Sequence, residues 1–284
     1  MHAALKASGL LRLRFASGNR QGGNQSAPGA GSSLDFKDHR HYLPGDDPRA
    51  INWQAYARSG SYILKLYERE VSPALDLAID TSPSMWFHPD KARRTIEVVA
   101  FLLQNAARVM AETRVSLVGA GNPVQTQPAR LLAGLWPEPP EPARDDAGNP
   151  SPPRIAAVPW RTGSVRILVS DLLYPCDDPG AWLAPLRREQ GRGAVWSPFL
   201  HEEMEPRWAG PVEFRDCESD LRRRDLADDQ LISHYRTAYR RHFDYWRESL
   251  MRAGMDLVRL PAEGNLIDGL RAEAVPTGWV ELAS

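Results

Sequence analysis

The chain has 284 residues, enough for one large domain or for a domain with a smaller attachment. Its hydrophobic content of 42% supports a substantial core, and a formal net charge of −1 argues against a nucleic-acid-binding protein, which normally shows a basic excess. The two cysteines, Cys176 and Cys217, have no Cys-x-x-Cys spacing. This argues against a zinc site or a disulfide framework and predicts a reducing compartment.

Apolar segments long enough to enter a membrane are missing from the sequence. The longest purely apolar run, from Val98 to Leu103, is far too short to span a bilayer. The N-terminus carries basic residues without a sustained apolar segment, so it does not have the pattern of a signal peptide. We therefore expect a cytoplasmic protein without membrane insertion.

Residues 1–73 are expected to form a loop-rich N-terminal lobe with short strands. Residues 1–15 are predicted to contain a short helix, and residues 16–33 are rich in Gly, Ser, Asn and Gln, which is typical of a linker. Pro44-Gly45 predicts a turn, because proline fixes one dihedral angle and glycine permits a positive one. Residues 62–70 alternate as a strand does.

An acidic pair follows this turn and lies close in sequence to several arginines. Asp46 and Asp47, with Arg40, Arg49 and Arg58 nearby, predict a local ion-pair network. The alternative is that the two carboxylates form a second metal site or an acidic catalytic pair. The nearby arginines argue against it, because they would compete for the same carboxylates.

The central pattern of the sequence is an apolar strand that ends on a carboxylate. Residues 74–80 end on Asp80, and the hydroxyls of Ser82 and Ser84 follow at alternate positions. In an open parallel sheet, ligands bind just outside the carboxyl ends of the strands. Oxygen ligands with few carboxylates suit a hard cation such as Mg2+ or Mn2+. Alternatively, these residues form only a turn and a helix cap.

The remaining sequence alternates between strands and helices. Apolar strands are predicted to start near Ala74, Arg114, Val165, Gly193 and Met255. Helices are predicted between them, most clearly at 91–113, 181–190 and 231–250, whereas residues 215–229 are interpreted as a charged, solvated face. Residues 136–154 contain seven prolines and are expected to form a surface excursion. Residues 74–284 therefore predict an α/β domain with a mainly parallel central sheet and helices on both faces.

Two motifs resemble known families. Asp-x-Ser-x-Ser at 80–84 is similar to the metal-ion-dependent adhesion site of von Willebrand factor A domains. The second motif is Phe36-x-x-x-Arg40-x-Tyr42-x-Pro44-Gly45-Asp46-Asp47-Pro48-Arg49-x-Ile51-x-Trp53, followed by Ala57-Arg58 and the Asp80 motif. It resembles the bacterial family called domain of unknown function 58, which usually has Asp where this chain has Asn52. The resemblance implies a von Willebrand factor A-like, Rossmann-like fold.

The same resemblance implies further metal ligands. Adhesion-site domains place a second Asp after another strand, and Asp171 follows the strand at 165–169 in this way, although a cap or turn role is equally open. Their third element is a Thr on an intervening loop, for which this chain has no clear match. By its order in the chain Ser151 is the expected substitute, and Thr126 and Thr162 are the alternatives.

For function, the resemblance implies a non-enzymatic adaptor. Similar proteins often accompany MoxR-type AAA+ ATPases, so the expected partner is such an ATPase or another protein that presents an acidic side chain to the ion. No catalytic residue is assigned. One alternative is a metal-dependent hydrolase or phosphotransferase with Asp80 as nucleophile, although haloacid-dehalogenase-like enzymes have a second Asp at the position of Ser82. The other alternative is a metal-free scaffold.

Overall fold

The computed structural model describes residues 2–15, 34–43, 45–69, 73–145, 148–219 and 221–283, without the side chains of residues 34–39, 50 and 65–69. The chain divides into two compact units, one of residues 1–16 with 73–284 and the other of residues 17–72. The stretch predicted to be a linker, residues 16–33, lies outside the described residues.

Twelve strands are present in the described residues. They are β1 (Leu11–Leu13), β2 (Leu34–His41), β3 (Ile63–Arg69), β4 (Ala74–Asp80), β5 (Glu112–Val118), β6 (Val124–Thr126), β7 (Val165–Val169), β8 (Arg192–Phe199), β9 (Gly210–Arg215), β10 (Arg222–Ala227), β11 (Asp256–Pro261) and β12 (Val280–Leu282).

Eight α-helices are present in the same residues, several of them only one turn long. They are α1 (His2–Leu10), α2 (Trp53–Ser59), α3 (Pro89–Arg108), α4 (Pro128–Leu132), α5 (Pro179–Leu183), α6 (His201–Met204), α7 (Asp229–Arg252) and α8 (Leu266–Gly269). Short 3-10 segments lie at Pro48–Ala50, Pro83–Met85, Ile155–Ala157, Ala184–Leu186 and Arg188–Gln190, and a π-helical turn at Leu270–Ala274 continues α8.

The larger unit is built on a six-stranded sheet in the order β11-β8-β7-β4-β5-β6. All neighbouring strands are parallel except β6, which pairs with β5 in the antiparallel sense. The predicted α/β class and mainly parallel sheet are confirmed, and every predicted strand start falls within two residues of the observed one.

Alternating side chains of the central strand β4 pack against two different groups of helices. Leu75, Leu77 and Ile79 belong to a core that includes α1 and α3, whereas Ala78 belongs to a core that includes α7. This alternation follows from the two-residue period of a strand. Asp80 shares the face of Ala78, so its carboxylate points to the α7 side of the sheet.

The first sixteen residues belong to the larger unit, although the sequence analysis assigned residues 1–73 to one N-terminal lobe. The reason is local packing: β1 pairs with β12, and the Leu13 N–H donates to the side chain of Asn105 in α3 (3.0 Å). Ala4, Ala7 and Leu11 are fully buried in the same core.

The smaller unit contains the antiparallel pair β2–β3 and helix α2. The turn predicted at Pro44-Gly45 has Gly45 at a φ of 109°, and the Asp46 N–H donates to the Leu43 carbonyl (3.0 Å); Pro44 lies outside the described residues. Arg40 binds Asp46 through two hydrogen bonds of 2.8 and 2.6 Å, so the predicted local ion pair is confirmed.

Two elements differ from prediction. Residues 215–229 include the strand β10, which pairs with β9 in a hairpin, instead of forming only a charged surface. The helix predicted at 181–190 ends at Leu183 and continues as two 3-10 turns, because Pro185 lacks the backbone N–H that an α-helix needs.

If the N-terminal segment is part of the main core, Leu11→Ala should lower the free energy of unfolding by about 2–5 kcal/mol. The matched control is Leu5→Ala, since Leu5 is 56% exposed in the neighbouring helix and its loss should cost no more than about 0.5 kcal/mol. Urea denaturation measures both. Equal, small effects would contradict the assignment of β1 to this core.

Candidate metal-binding site at the carboxyl edge of the sheet

The candidate site lies where the strand order reverses. From β4 the chain crosses to β5 on one side, and it later returns to β7 on the other side. The carboxyl ends of strands at such a switch point form the usual ligand crevice of an open α/β sheet. Asp80 ends β4, Gly119 follows β5, and Ser170 and Asp171 follow β7.

Asp80 is a carboxylate without solvent exposure. Its Oδ1 accepts the Ser82 N–H (2.9 Å) and its Oδ2 accepts the Ser170 O–H (2.7 Å). Burial, together with repulsion from Asp171, raises the pKa of Asp80 to about 7. Among the residues that the structure describes, no lysine or arginine forms an ion pair with it.

The two serines of the motif lie in the loop after β4. Their hydroxyl oxygens are 3.2 Å apart, and Ser84 is buried in the middle of the short 3-10 turn Pro83–Met85. The Ser84 N–H donates to Oε1 of Glu218, which comes from the turn between β9 and β10 (2.8 Å). A distant hairpin therefore reaches this loop.

A small cavity separates the motif from the loops around it. Asp80, Ser82, Ser151, Tyr174 and Glu218 supply its polar lining. The other lining residues are Gly119, Pro142, Ala143, Pro150 and Pro153. The volume of this cavity is about 10 Å³, roughly enough for a single water molecule.

The proline-rich segment forms one wall of this cavity. The Ala120 N–H donates to the Glu141 carbonyl (2.7 Å), and the Arg154 N–H donates to the Gly119 carbonyl (2.9 Å). A Cβ at Gly119 would lie 2.3 Å from the Glu141 carbonyl oxygen, so only glycine permits this close approach. The expected surface excursion is therefore fixed against β5, and it brings Ser151 to the cavity.

Asp171, the second expected acidic ligand, is held by a buried lysine. Its Oδ2 accepts a hydrogen bond from Lys91 Nζ (2.7 Å), and its Oδ1 accepts the Leu173 N–H (3.1 Å). Lys91 also donates to Glu203 Oε1 (2.6 Å). Burial opposes the charge on Lys91, but the two carboxylates outweigh it and raise the pKa of the ammonium. Asp171 is not one of the residues that line the cavity.

The sequence analysis did not find several residues of this region: Lys91, Ser170, Tyr174, Glu203 and Glu218. Ser170 had a recognisable signal, because it directly follows β7 at the same edge as Asp171.

Three residues were considered as substitutes for the adhesion-site Thr. Ser151 lines the cavity, whereas Thr162 donates to Glu189 (2.8 Å) and Thr126 belongs to the edge strand β6.

A family model described as a protein of unknown function, DUF58, matches residues 38–245. The chain belongs to this family. The match confirms the resemblance inferred from the motif at 36–58. Among curated proteins, none matches the chain significantly. No helix in the described ranges is both long and apolar enough to cross a membrane.

Two solved structures are similar to this chain. One is an aerotolerance-related membrane protein from Bacteroides fragilis NCTC 9343 with multiple mutations to serines, with a TM-score of 0.41 and 12% identity over 72% of this chain and 98% of that chain. The other is the conserved hypothetical protein BatB from Bacteroides thetaiotaomicron, with a TM-score of 0.35 and 9% identity over 73% of this chain and 99% of that chain.

Lys91→Met should lower the free energy of unfolding by about 3–5 kcal/mol, because it leaves Asp171 and Glu203 buried without their cation. The matched control is Arg247→Met, which removes an exposed pair with Asp244 and should cost no more than about 1 kcal/mol. Chemical denaturation compares them. A cost for Lys91→Met as small as that of the control would show that the lysine is not an essential counter-ion.

Asp80 should make the metal-free protein less stable as the pH rises. The ordinary pKa of an aspartate side chain is 3.8, and that of Asp80 in the folded protein is about 7, so the folded state binds this proton more tightly than the unfolded chain does. The free energy of unfolding should therefore fall between about pH 4 and pH 7 and level off above pH 7.

Asp80→Asn should remove this dependence. In EDTA, the variant should gain stability relative to the wild type across that pH window, by roughly a few kcal/mol at its upper end. Urea denaturation at several pH values gives the difference. If the free energies of unfolding of the two proteins changed with pH in parallel, a raised pKa at Asp80 would be contradicted.

Proposed function

We propose that this protein is a von Willebrand factor A-like adaptor that binds partner proteins through a Mg2+ or Mn2+ ion at the carboxyl edge of its sheet. The observation that carries this proposal is Asp80, a fully buried carboxylate beside a water-sized cavity, with no lysine or arginine paired to it in the described part of the chain. Burying an unpaired charge is costly, and a bound cation offsets that cost.

The residues at the cavity fit a hard cation. Asp80, Ser82 and Ser151 line the cavity with oxygen ligands only, and the Ser84 hydroxyl lies 3.2 Å from that of Ser82. Asp171 would act through a water molecule, because it does not line the cavity and its Oδ2 is paired with Lys91. In the described ranges, no three His, Cys, Asp or Glu side chains are grouped so that they could hold an ion. The proposed site therefore depends on carboxylate and hydroxyl oxygens, which are ligands that Mg2+ accepts, and the water-sized cavity has room for the ion itself.

The proposed role follows from the charge of such a site. A partly dehydrated cation attracts a carboxylate more strongly than a neutral oxygen, so a partner's Asp or Glu would bind to it. Following the resemblance noted from the sequence, the proposed partner is a MoxR-type AAA+ ATPase, with a role in assembling or maturing other proteins.

The proposal predicts that Asp80→Ala abolishes binding of Mn2+, because it removes the carboxylate that faces the cavity. Isothermal titration with MnCl2 measures the loss, and Asp244→Ala, at an exposed residue of α7, is the matched control. Circular dichroism establishes that both variants remain folded. Equal Mn2+ binding by Asp80→Ala and the wild type would remove Asp80 from the site.

Co-purification of the ATPase with and without Mg2+ separates the adaptor from its alternatives. Capture that EDTA abolishes and excess Mg2+ restores supports the adaptor. Turnover of phosphate esters that Asp80→Ala abolishes would favour the hydrolase or phosphotransferase instead. Capture of the ATPase that is unchanged by EDTA would favour a metal-free scaffold.

A further inference from the structure

We infer that Glu218 is an additional ligand of the ion, so that the β9–β10 hairpin fills the coordination position that a partner's acidic side chain would take. This inference rests on the proposed function, because it concerns the same ion. It assigns a regulatory role to a hairpin that the sequence alone did not predict.

The position of the Glu218 carboxylate is the first observation. Glu218 lies 134 residues beyond Ser84 in the chain, yet its Oε1 accepts the Ser84 N–H (2.8 Å). The same side chain lines the cavity together with Asp80 and Ser82. A carboxylate that a separate element brings to the cavity lined by Asp80 has the chemistry that the proposed partner would supply.

The second observation is how the turn that carries Glu218 is held. The Glu218 N–H donates to Oδ1 of Asp216 (3.0 Å), and the Ser219 hydroxyl donates to the same carboxylate. Arg144 donates to the Glu218 carbonyl (2.5 Å) and to the Gly148 carbonyl (3.0 Å). Arg144 therefore ties the hairpin turn to the proline-rich segment, and both walls of the cavity are fixed together.

The third observation is the balance of charge. In the described part of the chain, neither Asp80 nor Glu218 forms an ion pair with a lysine or arginine, whereas Asp171 and Glu203 share Lys91. Two carboxylates that line one cavity repel each other, and screening by water is weakest at the fully buried Asp80. One divalent cation between them neutralises both charges.

The consequence for partner binding is competition. An internal ligand acts at a high effective concentration, so an external carboxylate must displace Glu218 before it can reach the ion. The metal-loaded protein alone is then in a self-occupied state. Release of the hairpin turn, residues 216–219, opens the site.

Mn2+ binding followed by water-proton relaxation tests this assignment. Glu218→Gln keeps an oxygen that accepts the Ser84 N–H but removes the charge, so Mn2+ affinity should fall about tenfold or more. Each bound Mn2+ should also carry more exchanging water, which raises the relaxation enhancement per bound ion. Glu213→Gln is the matched control, because Glu213 lies on the same hairpin and pairs with Arg224 instead.

The outcomes separate this inference from the proposed function. Wild-type affinity and wild-type relaxation in Glu218→Gln, while Asp80→Ala abolishes binding, would overturn the role of Glu218 and leave the metal site in place. Absence of Mn2+ binding in the wild type would overturn both. Hydrogen exchange gives a second reading: Mn2+ should slow exchange at residues 216–219 in the wild type and not in Glu218→Gln.

Discussion

The structure around the carboxyl edge of the sheet depends on one constraint, the burial of the Asp80 carboxylate at the end of the central strand. A buried carboxylate needs hydrogen bonds and a compensating charge. The Ser82 N–H and the Ser170 O–H supply the hydrogen bonds, one from its own loop and one from the neighbouring strand. The described residues supply no paired cation, so the opposite charge is the element that a bound ion would contribute.

Asp171, the second carboxylate at this edge, differs from Asp80 because it has a buried cation as its partner. Lys91 reaches from the first turn of α3 to Asp171 and Glu203, so that pair of acids has its own buried cation. The two carboxylates that line the cavity, Asp80 and Glu218, have no such partner among the described lysines and arginines. Helix α3 thus has two roles: its apolar residues cover one face of the sheet, and its first turn sets the charge at the carboxyl edge.

The sequence predicted the part of this arrangement that depends on local patterns. Strand period, the Asp-x-Ser-x-Ser motif and the position of Asp171 are local, and they led to the α/β class and to Asp80. Lys91 and Glu218 could not be found in this way, because their roles depend on contacts between residues 80 and 134 positions apart. The packing of Pro142, Ala143, Pro150, Ser151 and Pro153 along the cavity could not be predicted either, since proline content indicates an irregular backbone without indicating where it packs.

The most direct measurement is anomalous diffraction from crystals of the wild-type protein grown with MnCl2. It locates the ion directly, and MnCl2 in excess of the dissociation constant fills the site without any partner protein. We predict one anomalous peak in the cavity, within coordination distance of Asp80, Ser82 and Glu218. An anomalous map with no peak at that position, from crystals in which the carboxyl edge is ordered, would contradict a metal site at Asp80.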